Sequence, residues 1–377
     1  MMNLLLINYE YPPIGGGAAT ATWNMSRELV KQGHHVIVVT ANYQKLRGWC
    51  EEEGVQVYRC RALRKSPSRS SLFEQLSFVI SATIALPKIL KNYSIEGVIV
   101  YFSMPCGPLG SWCKFLQRTP YVISLRGGDV PGVETSVNRI HYLLQPVRRL
   151  VLKYSQTIVA NSISLKQAAQ QADPFPVAVI PNGVDTDFFY PVEHHNKVFQ
   201  FLFVGRFHNQ KNLFFLLKQL NHLKNTITIS FICHIVGDGY LKDKLQEYAT
   251  KQQVNLIIKW HGWLAKEQIR HLYQQSDCLL NPSLYEGMPN VVLEAMACGL
   301  PVIASNVVGN DAVVRHNQTG YLFELSKEEE FQTALQSLLT NRKKARQFGE
   351  AGRDWVVKEF SWANVAKEYV QLFIGQK

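Results

Sequence analysis

Two glutamates, Glu286 and Glu294, stand seven residues apart in the stretch EGMPNVVLE. The glycine and proline after Glu286 predict a loop, and the apolar run behind them predicts a helix over Asn290–Ala297. Glu286 would then precede the helix, and Glu294 would lie on its second turn. A carboxylate in such a place can bind paired hydroxyl groups, as a ribose or a hexose presents. The amides of Met288–Val291, at the helix start, could bind phosphate or sugar oxygens.

A second candidate site is basic and covers GRFHNQKN at residues 205–212, between a predicted strand and a predicted helix. Arg206 can bind phosphate oxygens through its planar fork, and Lys211 adds a compact positive charge. Cations at the start of a helix oppose its dipole, so a bound anion would explain their position. Together they would neutralise a diphosphate leaving group with no metal ion. The alternative is a solvated basic helix start.

A third candidate is the loop PPIGGG at residues 12–17, again between a strand and a helix. Its glycines let the backbone approach a ligand and expose N–H groups at a helix start, which suits a phosphate. The loop is not GxGxxG, so it does not predict a dinucleotide site, and a plain tight turn is the alternative. The chain also contains Asp-x-Asp at Asp185–Asp187, but its setting in PNGVD predicts a turn rather than a metal site.

These loops must be held by rigid elements, and strand-like and helix-like patterns alternate along both halves of the chain. This alternation predicts βαβ units and parallel sheets, hence an α/β protein with two Rossmann-like, doubly wound domains facing a central cleft. The predicted strands are Leu4–Asn8, Val36–Thr40, Val55–Arg59, Gly97–Tyr101, Tyr121–Leu125 and Thr157–Ala160, then Phe201–Val204, Thr228–Val236, Leu256–His261, Cys278–Asn281 and Val302–Ala304. The turn-rich segment 180–197 places a domain boundary between residues 190 and 191.

Composition agrees with two globular domains: 377 residues, 46% of them apolar and 18% charged. The formal net charge is +11, and residues 1–190 hold 19 Lys and Arg against 12 Asp and Glu. A basic first half suits an anionic partner, such as nucleic acid, a phosphorylated substrate or an anionic membrane. The alternative is a generally basic protein without such a partner. Seven scattered cysteines predict free thiols in a reducing cytosol. The apolar N-terminus predicts a buried strand rather than a signal peptide.

A membrane contact is predicted from a basic segment beside an apolar one. Arg59–Arg69 carries five positive charges and no negative charge, and the helix-capable stretch Leu72–Leu90 follows, with Lys88 and Lys91 near its end. Such a pair suits peripheral docking to an anionic membrane. Its longest apolar run, Phe78–Leu86, is too short to span a bilayer. A buried helix beside a solvated loop is the alternative. Further cations could extend the patch: Arg139, Arg148, Arg149 and Lys153.

The motifs together resemble family 4 glycosyltransferases, retaining enzymes with the GT-B fold. They occur in the family's order and cover nearly the whole chain. Each is modest alone, and the set is specific. They are PPIGGG, RGGD at 126–129, PNGVD at 181–185, GRFHNQKN, VGDGYLKDKL at 236–245, EGMPNVVLE, AMACGLPVIAS at 295–305 and GYLF at 320–323.

The resemblance implies a role for each matched position. The diphosphate of the donor would lie on Gly205, Arg206 and Lys211, and its ribose on Glu294. The donor sugar would contact Glu286 and the segment after it, and the base would lie at Trp263 and Leu264. Gly16 and Gly17 would lie against the phosphate or the acceptor. The segment that follows Glu286 consists of Gly287, Met288, Pro289 and Asn290.

The chain also departs from the family pattern. Family members often have HGxD where this chain has Arg126-Gly127-Gly128-Asp129, so the family histidine that contacts the donor sugar is replaced by Arg126. Asp129 matches and would contact the acceptor or the sugar. The GGxxE pattern is kept only in part, around Gly309–Asp311. The predicted catalytic residues are therefore Arg126, Asp129, Arg206, Lys211 and Glu286.

The expected activity is retaining transfer of a hexosyl group from a UDP- or GDP-sugar to a saccharide hydroxyl. The acceptor is expected to be lipid-linked, in the synthesis of a bacterial envelope polysaccharide or exopolysaccharide, and no metal or other cofactor is expected. The enzyme would be cytoplasmic and could associate peripherally with the inner face of the plasma membrane, and no nucleic-acid partner is expected. The resemblance further places a C-terminal helix, 361–377, back on the N-terminal acceptor domain, 1–190, while 191–360 binds the donor. A 2-epimerase, a soluble-acceptor enzyme and an inactive sugar-nucleotide-binding protein are the alternatives.

Overall fold

The computed structural model describes residues 1–66, 70–133 and 138–374, and their side chains except those of Asn138 and Arg139. The chain divides into two compact units. The first unit comprises Met1–Gly183 and Trp362–Lys377, and the second comprises Val184–Ser361. Each unit is a Rossmann-like α/β domain built on its own sheet, so the prediction of an α/β protein with two Rossmann-like domains is confirmed.

The sheet of the first unit has eight strands in the order β3-β4-β2-β1-β5-β6-β7-β8. All neighbours pair in parallel except β3 and β4, which are antiparallel. Parallel strands covered on both faces are apolar throughout, as the fully buried β5 shows. The strands are β1 (Asn3–Ile7), β2 (His35–Ala41), β3 (Gly48–Glu52), β4 (Val55–Cys60), β5 (Gly97–Tyr101), β6 (Tyr121–Ser124), β7 (Thr157–Ala160) and β8 (Val177–Val179).

Helices cover both faces of this sheet. Helices α2, α3, α5 and α6 contribute to the hydrophobic core on one face, and α1 and α14 contribute to the core on the other. The Tyr369 hydroxyl on α14 lies 2.6 Å from Ser124 Oγ at the end of β6. The helices are α1 (Gly17–Lys31), α2 (Leu72–Tyr93), α3 (Gly107–Gln117), α4 (Asn138–Leu143), α5 (Gln145–Tyr154), α6 (Ile163–Ala172) and α14 (Trp362–Ile374).

The second unit has a six-stranded, all-parallel sheet in the order β11-β10-β9-β12-β13-β14. Its strands are β9 (Phe199–Val204), β10 (Phe231–Val236), β11 (Ile258–Gly262), β12 (Cys278–Asn281), β13 (Val302–Ser305) and β14 (Gly320–Phe323). Its helices are α7 (Leu213–Thr226), α8 (Lys242–Lys251), α9 (Lys266–Gln275), α10 (Asn290–Ala297), α11 (Asn310–Val313), α12 (Glu328–Thr340) and α13 (Arg342–Glu359).

Three strands are absent from the sequence prediction, for local reasons. Strand β3 is mostly exposed and carries two glutamates, so it lacks an apolar pattern. Strand β8 has only three residues, and β14 begins at a glycine. The long strand predicted from residue 228 begins at Phe231 instead. The helix predicted over Asn290–Ala297 is confirmed with those bounds.

Helix α2 is longer than the apolar run that the sequence singled out. Its 22 residues, with a mean hydropathy of 1.3 over the best window, are enough in length and composition to cross a membrane. Its N-terminus is closed by a capping box between Ser71 and Glu74. One face, including Phe78, Ala82 and Leu86, packs in the core of the first unit. The helix is therefore part of the domain and leaves its other face exposed.

The basic segment before α2 forms only part of the exposed patch that the sequence predicted, since Arg61 and Lys65 are exposed but two other arginines are not. The Arg59 guanidinium is buried, where it donates to the Pro12 carbonyl at 2.9 Å and to Glu52 at 2.8 Å. The Arg64 side chain is 2% exposed and lies 3.7 Å from Glu10. Distant carboxylates thus turn these cations inward, because a buried guanidinium requires a partner. Arg69 lies outside the described residues.

The predicted extension of this patch is also partly wrong. Arg148 is buried and donates to Asp173 at 2.7 Å. Arg149 donates to the same carboxylate at 2.8 Å but remains half exposed. Lys153 is exposed, while the side chain of Arg139 lies outside the part of the chain that the structure describes.

Candidate active site

The topology of the second unit marks one point for ligand binding. Strand β9 lies between β10 and β12. The chain runs from β9 to β10 and β11 on one side of it, and then crosses to β12 on the other side, so the strand order reverses at β9. In open parallel sheets, ligands bind beyond the carboxyl ends of the strands at such a switch point. The loops concerned are 205–212, which follows β9, and 282–289, which follows β12. These loops contain the two strongest sequence candidates.

An ion pair joins the two loops. Lys211 Nζ lies 2.5 Å from Glu286 Oε1, and these side chains are 13% and 7% exposed. Backbone contacts reinforce the junction, since Leu284 N donates to the Gln210 carbonyl at 2.8 Å. Gln210 Nε2 donates to the Tyr285 carbonyl at 2.9 Å. The fold thus brings together a cation and a carboxylate that lie far apart in sequence.

Arg206 lies in the same loop but is exposed to solvent. The loop backbone is held by a close approach of Gly237, whose added Cβ would meet the Gly205 carbonyl oxygen at 1.9 Å. Gly205 N also donates to the Val236 carbonyl at 3.0 Å. A residue larger than glycine at 237 would displace this loop, which explains the glycine in VGDG. The fixed backbone leaves the Arg206 side chain available to an anion.

Helix α10 carries the second glutamate. Pro289 precedes its first turn, and its carbonyl accepts from Val292 N at 2.9 Å. Glu294 is half buried, and its Oε2 accepts a hydrogen bond from the Tyr273 hydroxyl at 3.1 Å. Tyr273 itself is fully buried on α9. No sequence pattern pointed to this tyrosine, because α9 and α10 meet only in the folded unit.

The environment of Glu294 favours its neutral form. Burial raises the pKa of this carboxyl to about 7, while the Tyr273 hydrogen bond and the charge of Lys266 act in the opposite direction. Burial also raises the pKa of the Tyr273 phenol well above its usual value. The tyrosine is therefore a hydrogen-bond donor at any neutral pH, and the glutamate titrates near neutrality.

A buried amide network supports the loop after β12. Asn281 Nδ2 donates to Asn310 Oδ1 at 2.9 Å, and Asn310 Nδ2 donates to the Ser305 carbonyl at 3.1 Å. Beside it, Gly309 has a φ of +100°, and an added Cβ would lie 2.8 Å from the Gly287 carbonyl oxygen and 2.9 Å from Glu286 Cβ. The partly kept motif around Gly309–Asp311 therefore packs directly against the Glu286 loop.

The segment after β11 holds the predicted base contacts. Trp263 is 77% exposed, whereas Leu264 packs against the core of the second unit. The preceding Gly262 carbonyl accepts from Gly237 N at 2.8 Å, which ties this segment to the VGDG turn. Trp263 thus projects into solvent, and the backbone around it is fixed.

Comparison with known proteins identifies the family to which the chain belongs. The profile described as "Glycosyl transferases group 1" matches residues 186–355, and that described as "Glycosyltransferase Family 4" matches residues 15–188. An Escherichia coli protein named UDP-Gal:alpha-D-GlcNAc-diphosphoundecaprenol alpha-1,3-galactosyltransferase is 31% identical over 276 residues, 68% of this chain and 69% of that protein. The chain is a family 4 group 1 glycosyltransferase.

Two further comparisons span the whole glycosyltransferase. The alpha-maltose-1-phosphate synthase of Mycolicibacterium smegmatis is 27% identical over 403 residues, 99% of each chain. The solved structure of a sucrose-phosphate synthase from Thermosynechococcus elongatus superposes with a TM-score of 0.81 at 20% identity, over 100% of this chain and 99% of that one. The likeness shows the GT-B fold.

The first unit of the glycosyltransferase places Asp129 differently from its predicted contact with sugar. Asp129 is buried, and its Oδ1 accepts from Arg126 N at 2.9 Å and from Gly127 N at 3.1 Å. Its Oδ2 accepts from Ser103 N at 2.6 Å. Burial raises the pKa of this carboxyl, against the lowering effect of these amides. Asp129 thus joins the loops after β5 and β6 and does not project from them.

Arg126 does project from that loop. Its Nη1 donates to Asn182 Oδ1 at 2.6 Å, and its guanidinium lies 4.6 Å from the centre of the Tyr101 ring. The side chain is half buried. The loop and the PNGVD segment are therefore connected through this arginine.

The glycine loop of the first unit carries its own carboxylate. Gly16 N donates to Glu10 Oε2 at 3.4 Å, and Glu10 is also near Arg64. Burial raises the pKa of Glu10, with Arg64 opposing the effect. Gly16 and Gly17 are exposed. The Gly16 amide therefore already faces a carboxyl group of its own unit.

The Asp185–Asp187 segment forms the predicted turn. Asp185 Oδ1 accepts from Asp187 N at 3.2 Å and from Phe188 N at 3.0 Å. This carboxylate folds back on its own backbone in the manner of an Asx turn.

Proposed function

We propose that this glycosyltransferase moves a hexosyl group, with retention of configuration, from a UDP- or GDP-sugar to a hydroxyl of a lipid-linked saccharide. The observation that carries the proposal is the arrangement of Lys211, Glu286 and Glu294 beside the switch point of the second unit. It provides a cation for a diphosphate and carboxylates for sugar hydroxyls. The Escherichia coli relative, whose name specifies UDP-galactose and a diphosphoundecaprenol-linked acceptor, supports the same substrate classes.

In this proposal each residue has a distinct task. Arg206 and Lys211 hold the diphosphate, Glu294 accepts from the ribose hydroxyls, and Glu286 orients the donor sugar. The amides of the 287–290 segment contact sugar or phosphate oxygens at the positive end of α10. The fixed backbone around Trp263 and Leu264 holds the base.

The proposed chemistry requires leaving-group stabilisation more than a protein nucleophile. The bond between C1 of the donor and its phosphate oxygen breaks while the acceptor oxygen attacks C1 from the same face. The acceptor proton passes to the departing phosphate oxygen. Arg206 and Lys211 stabilise the charge that develops on the diphosphate. Because two cations meet that charge, we expect the reaction to need no metal ion.

The proposal is tested by screening nucleotide sugars for thermal stabilisation and then assaying the best of them with EDTA present. A ligand at 100 times its Kd stabilises the protein by about 2.7 kcal/mol. We expect one UDP- or GDP-sugar to give such a shift, Glu294→Ala to abolish it, and turnover to persist in EDTA with an α-linked product from an α-linked donor. Loss of turnover in EDTA would exclude the metal-free route.

Two outcomes would point to other functions. If no nucleotide or nucleotide sugar stabilises the protein, the donor site is wrong. If a donor binds but no acceptor is glycosylated, the chain is a sugar-nucleotide-binding protein. A soluble sugar or sugar phosphate as the acceptor would favour the class named for the Mycolicibacterium smegmatis relative. Transfer to a polyprenyl-diphosphate sugar, but not to soluble sugars, would support the lipid-linked class.

We also propose that the first unit docks on an anionic membrane on the cytoplasmic side. The outer face of α2 exposes Leu72, Phe73, Leu76, Ile80 and Ile84, each more than half exposed. These positions repeat at helical spacing, opposite the face that packs in the core. An unbroken apolar stripe of this length is unusual on a surface that meets only water.

Two neighbouring helices continue this surface. Helices α2, α3 and α5 pack on the same face of the sheet, so their outer sides point the same way. Trp112 Nε1 on α3 donates to the Thr83 carbonyl on α2 at 3.2 Å. Lys114 Nζ on α3 donates to the Tyr154 carbonyl of α5 at 2.8 Å. Exposed apolar side chains on these two helices are Phe115, Val147, Leu150 and Tyr154.

The charge of this surface has one sign. Helices α2, α3 and α5 contain one carboxylate, Glu74, which is buried in the capping box. Exposed cations border the stripe at Lys88, Lys91, Lys114 and Lys153. Apolar side chains surrounded by lysines suit the interface of an anionic bilayer. The docking surface therefore consists of these three helices rather than the basic segment before α2.

Flotation with vesicles tests the docking surface. The protein is expected to float with vesicles of equal phosphatidylcholine and phosphatidylglycerol, and less with pure phosphatidylcholine. The double variant Ile84→Asp/Phe115→Asp is expected to lose at least about tenfold in partitioning, since each buried side chain contributes about 1.5–3 kcal/mol. The control is Leu256→Asp, at a 79% exposed leucine of the second unit. Equal flotation of both variants would contradict the surface.

A further inference from the structure

The first unit contains a guanidinium whose pairing differs from that of its other shielded arginines. Arg27, Arg59, Arg64 and Arg148 each lie within 4 Å of a carboxylate. Among the described residues, no carboxylate pairs with Arg126. Its guanidinium instead contacts the neutral Asn182 amide and the Tyr101 ring. A half-buried charge with neutral partners only is costly unless another group compensates it.

The nearest carboxylate in sequence is already engaged. Asp129 accepts from the backbone amides of Arg126, Gly127 and Ser103, and is buried. Three backbone amides donate to its oxygens, which hold the loop and make no ion pair with the guanidinium. Asp129, the carboxylate in the described part of this loop, thus does not neutralise the positive charge of Arg126.

The position of Arg126 is that of a ligand contact. Within the first unit, β1 lies between β2 and β5, so the switch point falls between β1 and β5. Arg126 follows β6, the neighbour of β5, and its guanidinium lies over Tyr101, the last residue of β5. Ligands bind at this edge of a parallel sheet. Asn182 and Tyr101 fix the guanidinium plane, which prepares its fork for a planar or tetrahedral anion.

We propose that Arg126 forms an anion subsite of the first unit, and that the sugar substrate held there carries a carboxylate or a phosphate. This inference rests on the proposed function, because it names the chemistry of a substrate of that reaction. The anion would accept from the guanidinium while Asn182 keeps the arginine in place. The carboxylate could come from a sugar acid, and the phosphate from a sugar phosphate or a carrier diphosphate.

The test measures binding of small probes to the full chain with the second unit saturated by UDP. The probes are glucose, glucuronic acid, glucose 1-phosphate and inorganic phosphate. We expect the acidic sugars to bind at least about tenfold more tightly than glucose, the typical effect of a charge-assisted hydrogen bond. Preference for glucuronic acid or for glucose 1-phosphate distinguishes the two sources of the anion.

The variants identify the residue. Arg126→Met is expected to abolish the preference, Arg126→Lys to retain part of it, and Arg61→Met, at an exposed arginine of the same unit, to leave it unchanged. An unchanged affinity for glucose shows that the first unit of each variant is folded, and an unchanged Kd for UDP shows that the donor site of the second unit is intact. Equal binding of glucose and the acidic sugars would overturn the subsite, as would an undiminished preference in Arg126→Met. Inorganic phosphate binding as well as glucose 1-phosphate would overturn its assignment to a sugar substrate. Failure of UDP to bind the wild type would instead contradict the donor site.

Discussion

Replacing Lys211 by alanine is expected to lower kcat for sugar transfer by about 10²–10³-fold, the effect of removing one charge-stabilising group from a reaction centre. The lysine ammonium lies 2.5 Å from Glu286 and would meet the diphosphate as negative charge develops there. The Kd of the nucleotide should rise less than kcat falls, because the charge on the leaving group is greatest in the transition state. Steady-state kinetics and nucleotide titration measure the two effects separately.

The same substitution has a cost in stability that must be separated from catalysis. Without Lys211 the Glu286 carboxylate, 7% exposed, would lack its ion-pair partner. Removing one member of a buried pair destabilises a fold by about 3 kcal/mol or more. The double variant Lys211→Met/Glu286→Gln removes both charges and should regain much of this loss. The activity of the double variant should stay low, because the loss of activity in Lys211→Ala is expected to come from the missing charge and not from lower stability.

A lysine on the neighbouring helix provides the control. Lys218, on α7, pairs with Glu328 at 2.8 Å, and both side chains are exposed. Exposed pairs contribute at most about 1 kcal/mol, so Lys218→Ala should keep nearly full activity and stability. Transfer within a few-fold of wild type in Lys211→Ala would show that the ion pair is structural only.

Glu294→Gln is expected to stabilise the ligand-free protein at pH 8 and at the same time to weaken nucleotide binding. Burial raises the pKa of Glu294 to about 7 from its usual value near 4.5. The folded state therefore holds this proton more tightly than the unfolded state does. Its stabilising effect is complete below about pH 4.5 and is lost as the pH rises through 7. Glutamine never ionises and avoids that loss, worth up to about 3 kcal/mol.

The pH dependence distinguishes this explanation from a simple packing change. The Tm difference between Glu294→Gln and wild type should be small near pH 4.5, grow as the pH rises, and level off above pH 7. A Tm difference that does not change with pH would contradict the explanation by ionisation of Glu294. Glu350→Gln, at an exposed glutamate of α13, is the control and should show little difference at any pH.

Nucleotide affinity should depend on the same titration of Glu294, but in the opposite direction: ionisation lowers the stability of the protein and raises its affinity for the nucleotide. In the proposed site the ionised Glu294 would accept from ribose hydroxyls better than the protonated form, so the affinity for UDP should fall as the pH drops below about 7. The Tyr273 hydrogen bond lowers the pKa of Glu294, and Tyr273→Phe should therefore move this loss to higher pH. Calorimetric titrations of UDP between pH 5.5 and 8.5 would measure the shift.

The sequence predicted the fold class and most strands because the buried strands carry continuous apolar runs. It also placed Lys211 and Glu286 in loops after strands, where ligands of parallel sheets bind. Their direct contact was not predictable, because it depends on β9 and β12 being neighbours in the sheet. Tyr273 escaped notice for the same reason, since a buried tyrosine on a predicted helix resembles any core residue.

Charge patterns were the least informative part of the sequence. Arg59, Arg64 and Arg148 all looked like surface cations, yet each is turned inward by a carboxylate from another segment. Counting charges along the sequence does not reveal carboxylates that come close only in the folded domain. The apolar, helix-capable stretch of α2 was visible in the sequence, but which of its side chains are exposed depends on the face that the sheet covers.

The discontinuous first unit has a consequence for biosynthesis. Its core on one face of the sheet requires α14, whose Trp362, Tyr369 and Phe373 are buried there. A ribosome completes the second unit before it makes this helix, because α14 follows Ser361 in the chain. The contiguous second unit can therefore fold during translation. The first unit must wait with an uncovered apolar surface, the stage at which a chaperone would act and at which a stalled or truncated chain would aggregate.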